Sequence, residues 1–256
     1  MPTDAKHPVK AIEKTLAIIE ALKEEDGGRI TSLAESLDMS KSVVHNHLAT
    51  LQKHGYVDKD GNEYRLGLKF LDLGGYLRHN MRLYQVAKPE VDKMAEQTGE
   101  LANLLTEDNG CGVYLYRVKG EQAVDVDTYV GRRTNLHYTA QGKAILAHLP
   151  DDRLERVIEE KGLPEATQNT ITDREALDQA LADIRERGYA YHEEERLKGL
   201  RSIAAPIVTD DGTVHGSISI SGPESRMRGE TVESEIPKLV CSTSNAIELN
   251  LNYADL

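Results

Sequence analysis

The sequence predicts an α+β chain built in two parts. Residues 30–65 read as two short helices, a glycine stop and a β-hairpin, with no spare residues between them. Residues 100–256 show strand runs first, helices in the middle, then strand runs again and a closing helix. That order is typical of an α+β domain around an antiparallel sheet.

The N-terminal part opens with two predicted helices. Residues 9–24 carry apolar side chains at every third or fourth position, which indicates an amphipathic helix. A second, short helix is predicted over residues 32–37, because Ser32 and Glu35 have the spacing of a capping box.

A third helix and a hairpin complete this part. Ser40 is a good N-cap, and the helix should run to about His54, where Gly55 ends it. Two short strand runs then flank Asp60 and Gly61, a strong hairpin signal. The whole order predicts a winged helix-turn-helix, whose second motif helix enters the major groove of DNA.

The third helix has distinct faces at 100° per residue. Val44, Leu48 and Leu51 fall in one narrow arc and should pack on the first two helices. The other side is short and polar, as a surface that reads a DNA groove should be. The predicted DNA-binding residues of this helix and the hairpin are Lys41, Ser42, His45, Asn46, Lys53, Lys59 and Arg65.

These side chains suit the chemistry of DNA. Asn46 can pair with adenine through two hydrogen bonds, and the basic residues can contact phosphates. The alternative interpretation is that all of them are ordinary solvated residues.

The segment that follows is helical again. The pattern from Leu68 onwards is broken by Gly74 and Gly75, and a longer helix should run from about Leu83 to Thr98, with Pro89 in its first turns. The predicted domains are a winged helix-turn-helix over 1–75, a linker helix over 76–98 and a C-terminal domain over 99–256.

Strands and helices alternate in the C-terminal part. TVHGSISIS alternates small polar and apolar residues, so one strand face should meet a core and the other something polar. The predicted strand runs are ELANLLTE, CGVYLYRV, QAVDVDTY, GYAYHEEE, RSIAAPIV and TVHGSISISG. The predicted helices are residues 139–149, 151–160, 173–187 and 231–251.

The net charge of −12 is unevenly distributed. Residues 1–78 hold 11 basic and 12 acidic residues, which leaves 20 basic and 31 acidic residues for the remainder. The acidity therefore lies outside the predicted DNA-binding part, and it does not exclude nucleic acid as a partner. An acidic chain with one phenylalanine and no tryptophan fits a halophilic, salt-adapted protein; an ordinary acidic cytosolic protein is the alternative.

The same sequence favours a cytoplasmic protein. No apolar run approaches the length of a transmembrane helix, and the charged N-terminus has no apolar signal segment. The two cysteines, Cys111 and Cys241, are isolated in sequence, so we expect reduced thiols.

Signals for catalysis or metal binding are weak. In the run from His192 to Glu195, alternate residues of a strand point to opposite faces, so the potential ligands are split. Gly142 and Lys143 lack the earlier glycine and the following Ser or Thr of a phosphate-binding loop. We therefore predict no enzyme, no metal and no cofactor.

The motifs together resemble the IclR family of transcription regulators over nearly the whole chain. In the N-terminal part the resemblance rests on SVVHNHLATLQKHGYV and YRLGLKFLDLG. In the C-terminal part it rests on LHYTAQGKAILAHLP, IRERGYAYHEEERLKGLRSIAAPI and GSISISGP. The family implies a winged helix-turn-helix, a helical linker and a GAF-like domain that binds a small-molecule effector. It also implies dimers or tetramers on palindromic double-stranded operators.

The resemblance also implies an effector pocket. Its predicted lining residues are Ala140, Gln141, His192, Ser202, Ser219 and Ser221. From the residues alone, Ser219 and Ser221 share a strand face and can both donate hydrogen bonds to a carboxylate or sugar hydroxyl. The backbone amides at the start of the helix after Thr139 can hold an anion. The alternative is that the serines satisfy buried backbone groups.

Three positions depart from the family pattern. His192 stands where the family often has aspartate, Gln141 is bulkier than the small residue frequent there, and Asn46 replaces a common arginine. The predicted function is therefore a ligand-responsive regulator, a repressor or activator of catabolic genes, with an organic acid or sugar-derived effector left unidentified. A DNA-binding dimer with no ligand is the main alternative.

Overall fold

The computed structural model describes residues 6–253 and divides into two compact units between Leu77 and Arg78. The first unit holds three helices, a hairpin and most of a fourth helix. Their bounds are α1 Lys10–Glu24, α2 Ile30–Ser36, α3 Lys41–Lys53, β1 Val57–Asp60, β2 Glu63–Leu66 and α4 Lys69–His79.

The core of the first unit confirms the predicted inner face of α3, whereas Ile12 and Leu16 of the predicted apolar face of α1 are exposed. Val44, Leu48 and Leu51 of α3 are buried together with Leu22 of α1 and Leu33 of α2. Ser40 accepts a hydrogen bond from the Val43 amide at 3.3 Å and caps α3 as expected. The hairpin is tied back to the helices, because Gly28 and Tyr64 exchange two backbone hydrogen bonds of 2.9 Å. The unit is a winged helix-turn-helix.

Two local predictions in this unit were wrong. Ser32 is the third residue of α2 and not its cap: the helix begins two residues earlier, and the Ser32 hydroxyl accepts from the Arg29 amide at 3.1 Å. The hairpin turn is Gly61–Asn62, because Asp60 is already paired with Glu63. Gly61 has φ +57°, so the glycine supplies the left-handed residue that the turn needs.

The predicted helix break at Gly74 and Gly75 was also wrong. α4 runs through both glycines without interruption. A glycine weakens a helix by about 1 kcal/mol relative to alanine, which is too little to end a helix by itself.

The second unit is built on one antiparallel sheet of six strands in the order β5-β4-β3-β8-β7-β6. Its strands are β3 Leu101–Asp108, β4 Cys111–Lys119, β5 Arg133–Asn135, β6 Ala190–Glu193, β7 Leu200–Val208 and β8 Val214–Pro223. Its helices are α5 Arg82–Thr98, α6 Ala140–Leu146, α7 Asp151–Lys161, α8 Arg174–Arg187 and α9 Ile236–Tyr253, the last preceded by a π-helical turn, Thr231–Glu235.

Helices cover both faces of this sheet. α5 and α9 pack on one face around Val91, Ile218 and Val240. α6, α7 and α8 pack on the other face around Leu105, Ile145 and Leu181. The α+β prediction is confirmed, and the polar site lies on the α6 side.

Two other details differ from the sequence prediction. Residues 122–129 form no strand, although their side chains alternate in burial; the short β5 pairs with β4 in their place. Pro89 is the eighth residue of α5 and therefore lies beyond the first two turns. No helix within residues 6–253 is long and apolar enough to cross a membrane.

Candidate nucleic-acid interface and polar pocket

The outer face of α3 is exposed and free of carboxylates. All seven predicted DNA-binding residues are exposed. α3 itself contains two lysines and no acidic residue. His47 is excluded from this face, because its ring nitrogen meets the Thr15 hydroxyl of α1 at 2.8 Å. The helix therefore presents Ser42, His45 and Asn46 outwards.

The two predicted DNA-binding residues of the hairpin, Lys59 and Arg65, already contact neighbouring side chains of the same hairpin. Lys59 lies 5.3 Å from the centre of the Tyr64 ring. Arg65 lies 3.7 Å from Glu63, which is also 3.4 Å from Arg29. Exposed pairs of this kind are worth at most about 1 kcal/mol, so a DNA phosphate can compete for either arginine.

In the second unit, a pocket with about 390 Å³ of empty space lies on the α6 side of the sheet. The centre of a water molecule can move through only about 30 Å³ of it, so the pocket is narrow. All six residues predicted to bind an effector line it: Ala140, Gln141, His192, Ser202, Ser219 and Ser221. The structure thus brings together residues from three separate stretches of sequence.

A row of polar side chains crosses five strands at the base of the pocket. The pairing register places Arg117 beside Asn103, Asn103 beside Ser219, Ser221 beside Ser202, and Ser202 beside His192. We call these six residues the polar row. The Asn103 amide donates to Ser219 and Ser221 at 3.4 Å each.

The serines of the row bind each other and Asn103. Ser202 donates to Ser221 at 2.8 Å. Ser217 lies two residues before Ser219 on β8, and its hydroxyl donates to the carbonyl oxygen of Ala205 at 2.8 Å. This serine therefore satisfies a buried backbone group, which was the alternative role expected for the serines. Among the described contacts, Ser219 and Ser221 make no such backbone bond.

Gln141 lines the pocket, but its amide nitrogen is already bonded to the backbone. Its amide nitrogen donates to the carbonyls of Asn103 and Ser217 at 3.2 and 2.8 Å. The next residue, Gly142, packs so closely on Leu136 that a Cβ would collide with the Leu136 backbone. Its amide is capped by the Thr139 hydroxyl at 2.9 Å, so that group is already bonded at the start of α6.

The pocket is also lined by Tyr114, Arg117 and Arg196, which were not predicted from the sequence. A bulge leaves Leu115 unpaired, since Leu104 pairs with Tyr116 and Leu105 with Tyr114. The bulge puts Tyr114 and Arg117 on the same face of the sheet. The sequence contained one signal for Arg117, because it is the lone charged residue inside the apolar strand run CGVYLYRV.

Two guanidinium groups give the pocket its charge. Arg117 lies 5.7 Å and Arg196 5.9 Å from the centre of the Tyr114 ring, and Arg196 donates to the Tyr114 hydroxyl at 3.0 Å. No aspartate or glutamate is among the residues that line the pocket. Burial lowers the pKa of Arg117, and the charge of Arg196 lowers it further, yet a guanidinium stays protonated.

Three buried polar atoms of the pocket have no hydrogen-bond partner within the described chain. They are Nη2 of Arg117, Oγ1 of Thr128 and Nδ1 of His192. Each such atom costs about 1–3 kcal/mol when left unpaired. Their presence around one cavity indicates a site for a polar ligand.

The loop after β6 is fixed beside the pocket by a buried ion pair. Lys143 of α6 lies 2.5 and 2.6 Å from the two carboxylate oxygens of Glu195. Burial lowers the pKa of Lys143, while Glu195 opposes that shift. Because Arg196 follows Glu195, this pair positions the arginine over the pocket. The cluster does not form a metal site, and no group of His, Cys, Asp and Glu within residues 6–253 does so.

Comparisons with known proteins decide the family. Residues 11–61 match the IclR helix-turn-helix domain, and residues 76–249 match the C-terminal domain of the bacterial transcriptional regulator IclR. The chain belongs to the IclR family of transcription regulators.

Individual IclR-type proteins are similar over nearly the whole chain. The "probable HTH-type transcriptional regulator ArcR" of Halobacterium salinarum is 36% identical over 96% of this chain and 95% of its own length. The crystal structure of Thermotoga maritima IclR has a TM-score of 0.76 at 29% identity, covering 95% of this chain and 98% of that one. An IclR homologue of Microbacterium hydrocarbonoxydans, crystallised with 4-hydroxybenzoate, has a TM-score of 0.77 at 24% identity over 93% and 98%. The last of these shows a likeness of fold alone.

Membership of this family identifies the general function of the chain. The chain is a DNA-binding transcription regulator and not an enzyme.

Proposed function

We propose that this IclR-family chain is a ligand-responsive regulator of catabolic genes in the cytoplasm, a repressor or activator, controlled by a small organic acid in the polar pocket. One observation carries the proposal. The half-buried guanidinium of Arg117 has no carboxylate beside it, and its buried Nη2 has no hydrogen-bond partner in the described chain. A carboxylate on a ligand would supply both the missing charge and the missing acceptor.

The charge of the pocket favours an acid over a neutral sugar. Arg117 and Arg196 contribute two positive charges, and the lining contains no acidic residue to neutralise them. A sugar hydroxyl can accept a hydrogen bond but leaves this charge uncompensated. The proposed ligand-binding residues are those predicted from the sequence, with Arg117, Thr128 and Arg196 added.

On the DNA side, we assign the reading of bases to the exposed face of α3. Asn46 pairs with adenine, with Ser42 and His45 beside it, and the basic residues Lys41, Lys53, Lys59 and Arg65 contact phosphates. The target is a palindromic double-stranded operator with half-sites about 34 Å apart, as two copies of one motif require.

Self-association is part of the proposal, as a dimer or as a tetramer of two dimers. Large apolar side chains of the first unit are exposed on α1 and around α4, which has no buried residue. They include Ile12, Leu16, Leu71 and Leu77. We assign this surface to contact with a second copy, and residues 76–98 to the connection between domains 1–75 and 99–256.

Footprinting upstream of the protein's own gene and its neighbours, with and without candidate acids, tests this function. We expect protection of two half-sites that changes when an organic acid is added. Thermal melting with the same acids provides the second readout, because a ligand of the native state raises Tm by mass action. Protection that never responds, together with no rise in Tm for any acid or sugar, would favour the ligand-free dimer.

A further inference from the structure

His192 is the buried ring at one end of the polar row, and its protonation state is defined by its contacts. The Arg196 backbone amide donates to Nε2 at 2.9 Å, so Nε2 must carry a free lone pair. Burial, together with the charges of Lys143 and Arg196, lowers the pKa of the ring to about 3. The ring is therefore neutral near pH 7, and its single proton is on Nδ1.

This tautomer makes Nδ1 a donor only. The ring is 3% exposed, and Nδ1 has no partner within the described chain. A ligand that offers only alkyl carbon there leaves the donor unsatisfied. A ligand with an oxygen there removes the penalty.

His192 and Arg117 lie at opposite ends of the polar row. Arg117 is on β4 and His192 on β6, with β3, β8 and β7 between them. Arg117 reaches inwards, since its Nε donates to Asn103 at 3.0 Å. One end of the row thus offers a charged donor and the other a neutral donor, so a ligand that spans the row would place different atoms at its two ends.

We propose that His192 determines specificity: the pocket takes a small carboxylate with a second, accepting oxygen that meets Nδ1–H, and discriminates against the plain alkyl acid. The inference rests on the proposed function in one respect, that the pocket binds a carboxylate. At this position an aspartate would demand a donor from the ligand, whereas His192 demands an acceptor.

The test compares acids that differ by one oxo group. We would measure Kd for the full-length protein with 2-oxobutyrate against butyrate, 4-oxopentanoate against pentanoate, and 5-oxohexanoate against hexanoate. The oxo group accepts hydrogen bonds and cannot donate them. We expect at least one oxo acid to bind tenfold or more tightly than its plain partner.

The variants His192→Asn and His192→Leu form a matched pair. Both lose the Nε2 acceptor, but only asparagine can place an amide N–H near the position of Nδ1. We expect His192→Asn to retain the preference within about threefold. His192→Leu should bind the oxo and plain acids equally. A preference that survives in His192→Leu, or plain and oxo acids that bind wild type equally, would overturn the inference.

The proposed function fails in a different way. If it is wrong, no acid binds the wild-type protein, or Arg117→Met binds the plain acids as well as wild type does. A direct check of the tautomer uses ¹⁵N NMR of labelled histidine at pH 7. His192 should show a protonated Nδ1, and a protonated Nε2 would overturn the inference whatever the affinities are.

Discussion

At the scale of single residues, the pocket combines satisfied and unsatisfied groups. Asn103 and the serines bind one another, whereas Arg117, Thr128 and His192 each keep one buried atom without a partner. The serine alternation was visible in the sequence, because strand periodicity alone puts Ser219 and Ser221 on one face. Arg117 was not predictable in this way, because its direction depends on the bulge at Leu115 and hence on strand pairing.

The ionisation of His192 makes the stability of the protein depend on pH. Above about pH 6.5, the ordinary pKa, the ring is neutral in the folded and unfolded chain, and pH has no effect through it. Between that value and about pH 3 only the unfolded chain binds the proton, so the free energy of unfolding falls as pH falls. Below about pH 3 the effect levels off.

We therefore expect urea titrations between pH 7 and pH 4 to show a steeper loss of stability for wild type than for His192→Asn. The difference in slope should approach roughly 1.4 kcal/mol per pH unit. The pKa of His137 is also lowered by burial, and it contributes equally to both proteins. Equal slopes for the two proteins would show that His192 does not titrate as described.

At the scale of elements, the helices with strong periodicity and caps were predictable. α3 has its predicted cap and faces, and α8 begins after Asp173 and ends at Gly188, as its sequence indicates. Elements whose limits depend on pairing with residues distant in sequence were not predictable. β5 exists because it pairs with Cys111–Val113 of β4, whereas residues 122–129 pair with no described strand.

For α3 we expect two substitutions to reduce the affinity for DNA in different ways. Asn46→Ala should lower affinity for the operator by about 1–3 kcal/mol and relax preference at one base pair. Lys53→Ala should weaken binding to all sequences alike and reduce the salt slope by about one. Fluorescence anisotropy on operator and scrambled duplexes measures both. Unchanged sequence preference in Asn46→Ala would place the reading face elsewhere.

For α4 we expect a gain in stability. A Cβ at Gly75 would meet no atom within 4 Å, and its φ is not positive. Gly75→Ala should therefore stabilise the first unit by about 0.5–1 kcal/mol. Gly67→Ala is the contrasting variant, since its Cβ would lie 2.5 Å from the Gly55 carbonyl oxygen, and it should destabilise. Thermal melts distinguish the two, and a loss of stability in Gly75→Ala would mean that α4 does not run straight through this glycine.

At the scale of the whole molecule, the acidic residues are concentrated outside the winged helix-turn-helix. Most of the net charge of −12 lies beyond residue 78, so the winged helix-turn-helix is nearly neutral and its α3 face has no carboxylate. Salt adaptation stays a prediction from composition. The sequence predicts an amphipathic helix over residues 9–24, but the exposure of Ile12 and Leu16 on it required the structure.

Self-association should depend on that apolar surface. We expect Leu71→Glu combined with Leu77→Glu to convert the proposed dimer into monomers, because both side chains are exposed, at 70% and 66%, and a charge there cannot be buried in an interface. Leu249→Glu, at an exposed position of the second unit, is the control and should remain dimeric. Analytical ultracentrifugation measures the difference. A double variant that stays dimeric would move the interface to another surface.

We expect an acid held by Arg117 to change the affinity of the protein for DNA. The most direct measurement is the Kd for an operator duplex with and without the tightest-binding oxo acid, in wild type and in Arg117→Met. We predict a 5- to 150-fold change for wild type, roughly the usual range of coupling between two sites. Arg117→Met should bind the duplex as the acid-free wild type does and show no change. An equal response of both proteins to the acid, or a wild type that binds the acid while its affinity for DNA stays constant, would show that Arg117 does not couple the acid to DNA binding.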